Sequence, residues 1–250
     1  VRDLVAPGAG GLDGAAGMLL PGDGTLLVAS GETDSVLRFD LETGAPLGAF
    51  VAPGSGGLVG PYGLARGPRG TYFVTSSDNQ VMEYDASGAF VRIFVDASDN
   101  GGLESPRDII FTSAITPAAP AAPAPERFLV ASEMTSEILE FDPHRGAFRQ
   151  VFNIGTLNGK LERPWGLELG RDGEIYLSAR KFGDGPPVAA SHLTDPRIWQ
   201  YQTRTGLLLR PYIQRDDSRL PDPVGFAFMP GDETDCNFNQ IIDSCDIASG

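Results

Sequence analysis

The chain repeats itself. Leu4-Val-Ala-Pro-Gly-Ala-Gly-Gly-Leu12 returns as Phe50-Val-Ala-Pro-Gly-Ser-Gly-Gly-Leu58, 46 residues later. A second marker, a turn that opens a short apolar run, stands at Ala15 to Met18, Pro61 to Leu64, Pro106 to Ile109, Pro164 to Leu167 and Pro223 to Phe226. Its third position (Gly17, Gly63, Asp108, Gly166, Gly225) advances by 46, 45, 58 and 59 residues. A third marker closes each unit: Phe39-Asp40 with Thr43-Gly44, Tyr84-Asp85 with Ser87-Gly88, Phe141-Asp142 with Arg145-Gly146, and Tyr201-Gln202 with Thr205-Gly206. A unit this short cannot bury its own hydrophobic face, so neighbouring units must stack to make a core.

The second unit shows what each repeat contains. Tyr62 to Arg66 predicts a short first strand, and Gly67 to Gly70 a turn. Thr71 to Ser76, Gln80 to Tyr84 and Phe90 to Phe94 predict three more strands. Four short strands in about 45 residues make one blade of a β-propeller. The two long spacings have local causes. One unit carries the proline-rich run Thr116 to Pro125, which cannot donate ladder hydrogen bonds and reads as a surface loop. The next carries an insertion from Phe182 to Pro196 between its second and third strands.

The expectation is therefore an all-β protein: a β-propeller of four complete blades over residues 1–230, then a short loop module over 231–250. Val1 to Val5 aligns with the end of the fourth, outermost strand of a unit, and Pro223 to Met229 with a first, innermost strand. A ring often closes on a blade built from both termini, which removes an exposed edge. On that pattern two middle strands are missing, and the chain reads as N-terminally truncated. Its start at Val1, with neither Met nor a leader, fits a processed product or excised fragment.

Composition narrows the partners. A net charge of −14 argues against nucleic acid, whose phosphates require clustered Lys and Arg. No apolar run approaches the ~18 residues that span a bilayer. A soluble, monomeric, secreted or cell-surface protein is the expectation.

The tail carries the most specific spacing. Asp235, Asn237, Asn239, Asp243 and Asp246 occupy positions 1, 3, 5, 9 and 12 of a twelve-residue window, with Ile241 at position 7 to supply a backbone carbonyl. That pattern points to Ca2+, which takes six to eight oxygens from a tight loop. Both cysteines, Cys236 and Cys245, lie inside the window. Two thiols without nearby His make a poor zinc site, so a disulfide pinning the loop is expected.

The order Pro-x-Gly-Leu, x-Gly-x-x-Tyr-Val, Val-x-x-Tyr-Asp and Gly-x-Phe, best seen from Pro61 to Phe90, resembles the NHL-repeat and regucalcin/gluconolactonase-like group of β-propellers. The tail resembles the calcium loops of dockerin modules and thrombospondin type 3 repeats. The first likeness implies a fold that hosts binding, scaffolding, lactonase and lyase activities. The second implies that Asp235, Asn237, Asn239, Asp243 and Asp246 are side-chain ligands.

Two further sets of residues are candidates within the propeller. Innermost strands begin at the channel entrance, where the equivalent positions hold Ala16, Tyr62, Arg107, Trp165 and Val224. Tyr62, Arg107 and Trp165 could form a platform for a sugar, peptide or anion. The plainer reading has the aromatics wedged between blades and Arg107 paired with an acid. Asp108 and Glu168 lie on first strands and could hold a channel metal in a lactonase-like hydrolase or lyase. His144 and His192, the two histidines, fall on an outer turn and in the insertion, where a catalytic triad is hard to build. The column Asp40, Asp85, Asp142 reads as turn capping. The function favoured by the sequence is thus a non-catalytic binding or scaffold propeller for a protein or carbohydrate ligand.

Overall fold

A computed structural model describes residues 3–112, 126–152, 163–170, 173–179 and 196–214. Among the described residues, sixteen strands form four antiparallel four-stranded sheets, each with its strands in chain order. The first sheet holds β1 (Ala15–Leu19), β2 (Thr25–Ser30), β3 (Ser35–Asp40) and β4 (Pro46–Val51). The second holds β5 (Leu64–Arg66), β6 (Tyr72–Ser76), β7 (Gln80–Tyr84) and β8 (Phe90–Val95). The third holds β9 (Pro106–Thr112), β10 (Arg127–Ser132), β11 (Glu137–Phe141) and β12 (Phe148–Val151). The fourth holds β13 (Pro164–Leu169), β14 (Ile175–Ala179), β15 (Pro196–Tyr201) and β16 (Leu208–Gln214). They are arranged as the blades of a β-propeller, four among the described residues, with β1 beside β5, β5 beside β9 and β9 beside β13.

The core lies between blades. Leu27, Ala29 and Val36 of the first blade meet Val74, Met82 and Tyr84 of the second. Phe73 and Val81 of the second meet Phe128, Val130 and Phe141 of the third, and Leu129 and Ile138 of the third meet Leu177, Trp199 and Tyr201 of the fourth. The second and third sheets lie between two others. The first packs its other face, with Leu26, Val28, Leu37 and Phe39, against Val5, Ala9 and Leu12 of the N-terminal segment, so its middle strands also bury residues on both faces. The outer strands do not: Phe90, Val91 and Ile93 of β8 are exposed while Phe94 and Val95 are buried.

The closing turns lock neighbouring blades together. The Asp40 carboxylate accepts hydrogen bonds from the Glu42 and Thr43 backbone N–H groups (3.1 and 2.8 Å) and from the Thr43 hydroxyl. Asp85 accepts the Ser87 and Ala89 N–H groups and the Ser87 hydroxyl, and Asp142 the His144 and Arg145 N–H groups, which matches the capping role expected of that column. Four residues on, Gly44, Gly146 and Gly206 adopt φ of +73°, +73° and +70°, and Gly88, three on, +84°. A Cβ built on these glycines would fall 1.7–1.8 Å from the carbonyl oxygens of Leu4, Phe94, Phe152 and Phe50 in turn, each from the preceding outer segment. The turn must be glycine both for its dihedral and for this approach.

The start of β6 and the end of β8 differ from the sequence expectation by one residue each, and two other boundaries differ by more. β5 begins at Leu64 rather than Tyr62, although the Tyr62 N–H still donates to the Thr75 carbonyl (3.3 Å) and the Gly63 N–H to the Thr75 hydroxyl (2.7 Å). Among the described residues at the N-terminus, Asp3 to Val5 form a bend and not a strand. Leu4 still places its carbonyl against Gly44 as Phe50 does against Gly88, so the alignment holds while the strand pairing does not. The proline-rich run 116–125, most of the insertion 182–196, the segment 223–229 and the whole tail, with the residues expected to bind calcium and to form a disulfide, lie outside the described residues.

Candidate functional site

The repeat places Tyr62, Arg107 and Trp165 at one register position, Arg107 and Trp165 just inside the start of β9 and β13 and Tyr62 two residues before β5. The structure brings all three together. The Trp165 indole N–H donates to the Tyr62 hydroxyl (2.7 Å), and the two rings meet edge to face at 5.5 Å. The Arg107 guanidinium carbon lies 4.6 Å from the Tyr62 ring centroid and 4.3 Å from that of Trp165, a double cation–π contact.

Arg107 is fixed by an acid that the repeat markers do not flag. Its Nε donates to Glu133 Oε2 at 2.5 Å, and its Nη2 faces the same oxygen. The Glu133 side chain is only 1% exposed, and its other oxygen lies 2.6 Å from Arg163 Nη2. The Ser105 hydroxyl donates to Oε2, the oxygen that faces Arg107 (3.2 Å). Removing one partner from a buried charge cluster leaves an uncompensated charge, which typically costs 3–5 kcal/mol. The alternatives posed from sequence are therefore not exclusive: Arg107 pairs with an acid, and it also joins the aromatics.

Arg163 sits where the repeat otherwise places small residues. Gly14, Gly60 and Ser105 occupy its position in the other blades, with φ of +62°, +47° and +53°, and Arg163 keeps φ at +43°. A non-glycine residue there stores about 1–2 kcal/mol of strain. Glu133 in turn follows the Ser132 column, where the first and second blades have Gly31 after Ser30 and Ser77 after Ser76. Setting these columns side by side would have exposed both charged residues as departures, but neither belongs to the three markers that define the repeat.

Asp108 and Glu168 occupy an adjacent layer. Asp108 stands in the column held by Gly17, Gly63 and Gly166. Its two oxygens accept the backbone N–H groups of Ile109 and, from the next blade, Leu167, both at 2.9 Å. Burial raises its pKa from 3.8 to about 6 against the lowering effect of those two bonds. Burial, with the Asp108 charge beside it, raises Glu168 from 4.5 to about 7. Both retain some exposed surface. No third Asp, Glu, His or Cys joins them in a metal-binding group among the described residues. His144 lies on the outer turn of the third blade, 3.6 Å from Glu126 and far from this layer in the fold.

Neither a protein-family model nor a curated protein matches the chain. Solved structures do. The chain is similar to hydrazine synthase of Kuenenia stuttgartiensis at 17% identity and a TM-score of 0.54, over 84% of this chain and 50% of that one. It is similar to a protein of unknown function from Bacteroides caccae at 15% identity and a TM-score of 0.56, over 85% of this chain and 71% of that one. The chain thus spans half the length of the hydrazine synthase chain. At these identities the likeness is one of fold, and the propeller fold hosts unrelated functions.

Proposed function

We propose that the chain is a non-catalytic β-propeller binding module, secreted or at the cell surface. Its ligand, a protein or carbohydrate, is taken at the channel entrance by Tyr62, Arg107 and Trp165, and a calcium-stabilised loop at residues 235–246 follows the propeller. One observation carries this reading. Three side chains from three blades converge on a corner whose central guanidinium is oriented by a buried carboxylate before any ligand arrives. A prepositioned polar group beside aromatic surface reduces the ordering cost of binding. The tail contribution rests on the spacing of Asp235, Asn237, Asn239, Asp243 and Asp246 alone.

A hydrolase or lyase with a channel metal at Asp108 and Glu168 is the second reading, favoured by the coupling of those two carboxyls. Their surroundings fit a divalent ion poorly. Both oxygens of Asp108 already accept backbone N–H groups, and two carboxylates are fewer than the oxygens such an ion needs. Probing an array of glycans and peptides with the wild type and an Arg107→Lys variant separates the readings. Ligands retained by the wild type and lost by the variant support the binding module. Retention indifferent to Arg107, together with lactone hydrolysis lost in Glu168→Gln, contradicts it.

A further inference from the structure

We infer that the seam between the first and second blades binds a carboxylate at Arg38, a contact separate from the channel entrance and independent of the reading given to it. The repeat itself carries the argument. In three blades the third strand presents an acceptor, and a donor at the paired position of the outer strand bonds to it. Arg92 Nε donates to Glu83 (2.6 Å), Gln150 Nε2 to Glu140 (2.8 Å) and Arg210 Nε to Gln200 (2.7 Å). Among the four described blades the first alone inverts this pattern. Its donor, Arg38, stands on the third strand, and Gly48 stands opposite.

The Arg38 guanidinium occupies a place that the fold uses more than once. Arg38, Arg92 and Arg127 lie over Phe50, Phe94 and Phe152, at 4.8, 4.9 and 5.3 Å from the ring centroids. Those rings hold one column of the repeat, each with its carbonyl against the closing-turn glycine of the next blade. Arg92 and Arg127 there meet a carboxylate, Glu83 or Glu140, and a closing-turn carbonyl of the next blade, that of His144 (2.9 Å) or Arg204 (2.5 Å). Arg38 meets neither among the described residues. Its Nε is buried without a partner, as is that of Arg127. Its two Nη groups, unlike those of Arg127, make no hydrogen bond and are not buried. The edge formed by two Nη groups receives both oxygens of a carboxylate in parallel.

The carboxylates near Arg38 are committed elsewhere. Asp23 makes no ion pair with it: its carboxylate accepts the Thr25 N–H and hydroxyl, and Arg38 is the weakest influence upon it. Asp40, two residues along β3, and Asp85, in the second blade, cap their own turns. With Asp23 beside it, the seat suits a singly charged group better than a dianion. Gly48 is exposed, and a Cβ built there would meet nothing within 4 Å, so the approach over the outer strand is open. An acidic side chain of another protein and a free carboxylic acid present the same two oxygens to this edge.

The test is an NMR titration of 15N-labelled protein that reads the Arg38, Arg92 and Arg69 Nε–H resonances. The probes are N-acetylglutamate N-methylamide, its glutamine twin and sodium sulfate. The glutamate probe should shift Arg38 saturably and bind about ten-fold more tightly than either of the others. Arg92, already paired, and Arg69, exposed in the β5–β6 turn, should respond at least about ten-fold more weakly than Arg38. An array of peptides with one Asp or Glu, each beside its Asn or Gln twin, separates the two sources. Acidic peptides retained by the wild type and lost by Arg38→Gln assign a protein side chain. A silent array with a saturable glutamate response assigns a free acid. Arg38 responding no more than Arg69, or the glutamine twin or sulfate binding as tightly as the glutamate probe, would overturn the inference. That comparison is made within the wild type, so it holds even if the variant misfolds.

Discussion

Replacing Glu168 with Gln should make the protein more stable, and only above a defined pH. In the folded chain the Glu168 carboxyl titrates near 7 instead of 4.5, through burial first and the Asp108 charge second. A folded-state value above the ordinary one means the native state binds more protons than the unfolded state between those limits. Stability is therefore present below about pH 4.5 and is lost as pH rises through 7. A displacement from 4.5 to about 7 corresponds to about 3 kcal/mol at ~1.4 kcal/mol per pH unit. Glu168 keeps exposed surface, and screening by solvent cuts that to about 1.5 kcal/mol. Glutamine has the same shape and no charge, so the variant escapes this loss and also removes a repelling neighbour from Asp108. Urea denaturation followed by far-UV circular dichroism, in the presence of a chelator, should give equal stabilities at pH 4.5. At pH 8.5 the variant should lead by about 1.5 kcal/mol. A constant offset at both pH values, or a wild type that gains on the variant as pH rises, refutes the reasoning. Repeating the measurement at pH 8.5 with calcium tests the second reading directly, since a metal bound by the pair would stabilise the wild type and not the variant.

Gly88→Ala should cost about 3 kcal/mol or more by urea denaturation, because its Cβ would fall 1.8 Å from the Phe50 carbonyl oxygen at a φ of +84°. Gly48→Ala, with φ of +99° and nothing within 4 Å of the new atom, should cost only the dihedral strain of about 1–2 kcal/mol, and equal losses would contradict the interblade lock. Asp85→Asn should lower the melting temperature at pH 7. The Ser87 hydroxyl bond, followed by backbone N–H bonds, holds the Asp85 carboxyl below its usual range, so that contribution exists above about pH 4 and fades as pH falls. A melting difference between wild type and variant that persists at pH 2 would count against it. Asp235→Ala combined with Asp246→Ala should abolish calcium uptake by calorimetry, and unchanged heats would remove the loop assignment.

The propeller was legible because its repeat is written in residues with one local task each. Asp40 and Gly44 make a turn, and Gln80 to Tyr84 alternates as a strand whose ends coincide with β7. The shared register of Tyr62, Arg107 and Trp165 was legible for the same reason, since equivalent positions on successive innermost strands converge on the channel axis. Their mutual contacts were not. Glu133 reaches Arg107 from the turn that follows the second strand of its own blade, and Arg163 reaches Glu133 from the connection into the next. Such contacts cross the repeat rather than follow it. The same holds for Asp108, whose bond to the Leu167 N–H spans 59 residues and gives a polar role to a column otherwise kept for glycine. A third copy of the connecting segment, Val95-Asp-Ala-Ser-Asp-Asn-Gly-Gly-Leu103, also escaped the sequence comparison. It is one residue longer, with Ala97-Ser98-Asp99 where the second copy has Pro53-Gly54, yet Gly101 (φ +63°) sits against Phe148 as Gly56 (φ +71°) sits against Phe90. The backbone path there is set by the glycines and the buried Leu103, not by the proline.

The most direct measurement follows a ligand found on the array and the labelled protein together in one NMR sample over time. The account predicts that the Trp165 indole and Arg107 Nε–H resonances shift on mixing while the ligand spectrum stays chemically unchanged for the whole course. Steady conversion of the ligand to product, abolished by Glu168→Gln, would contradict it.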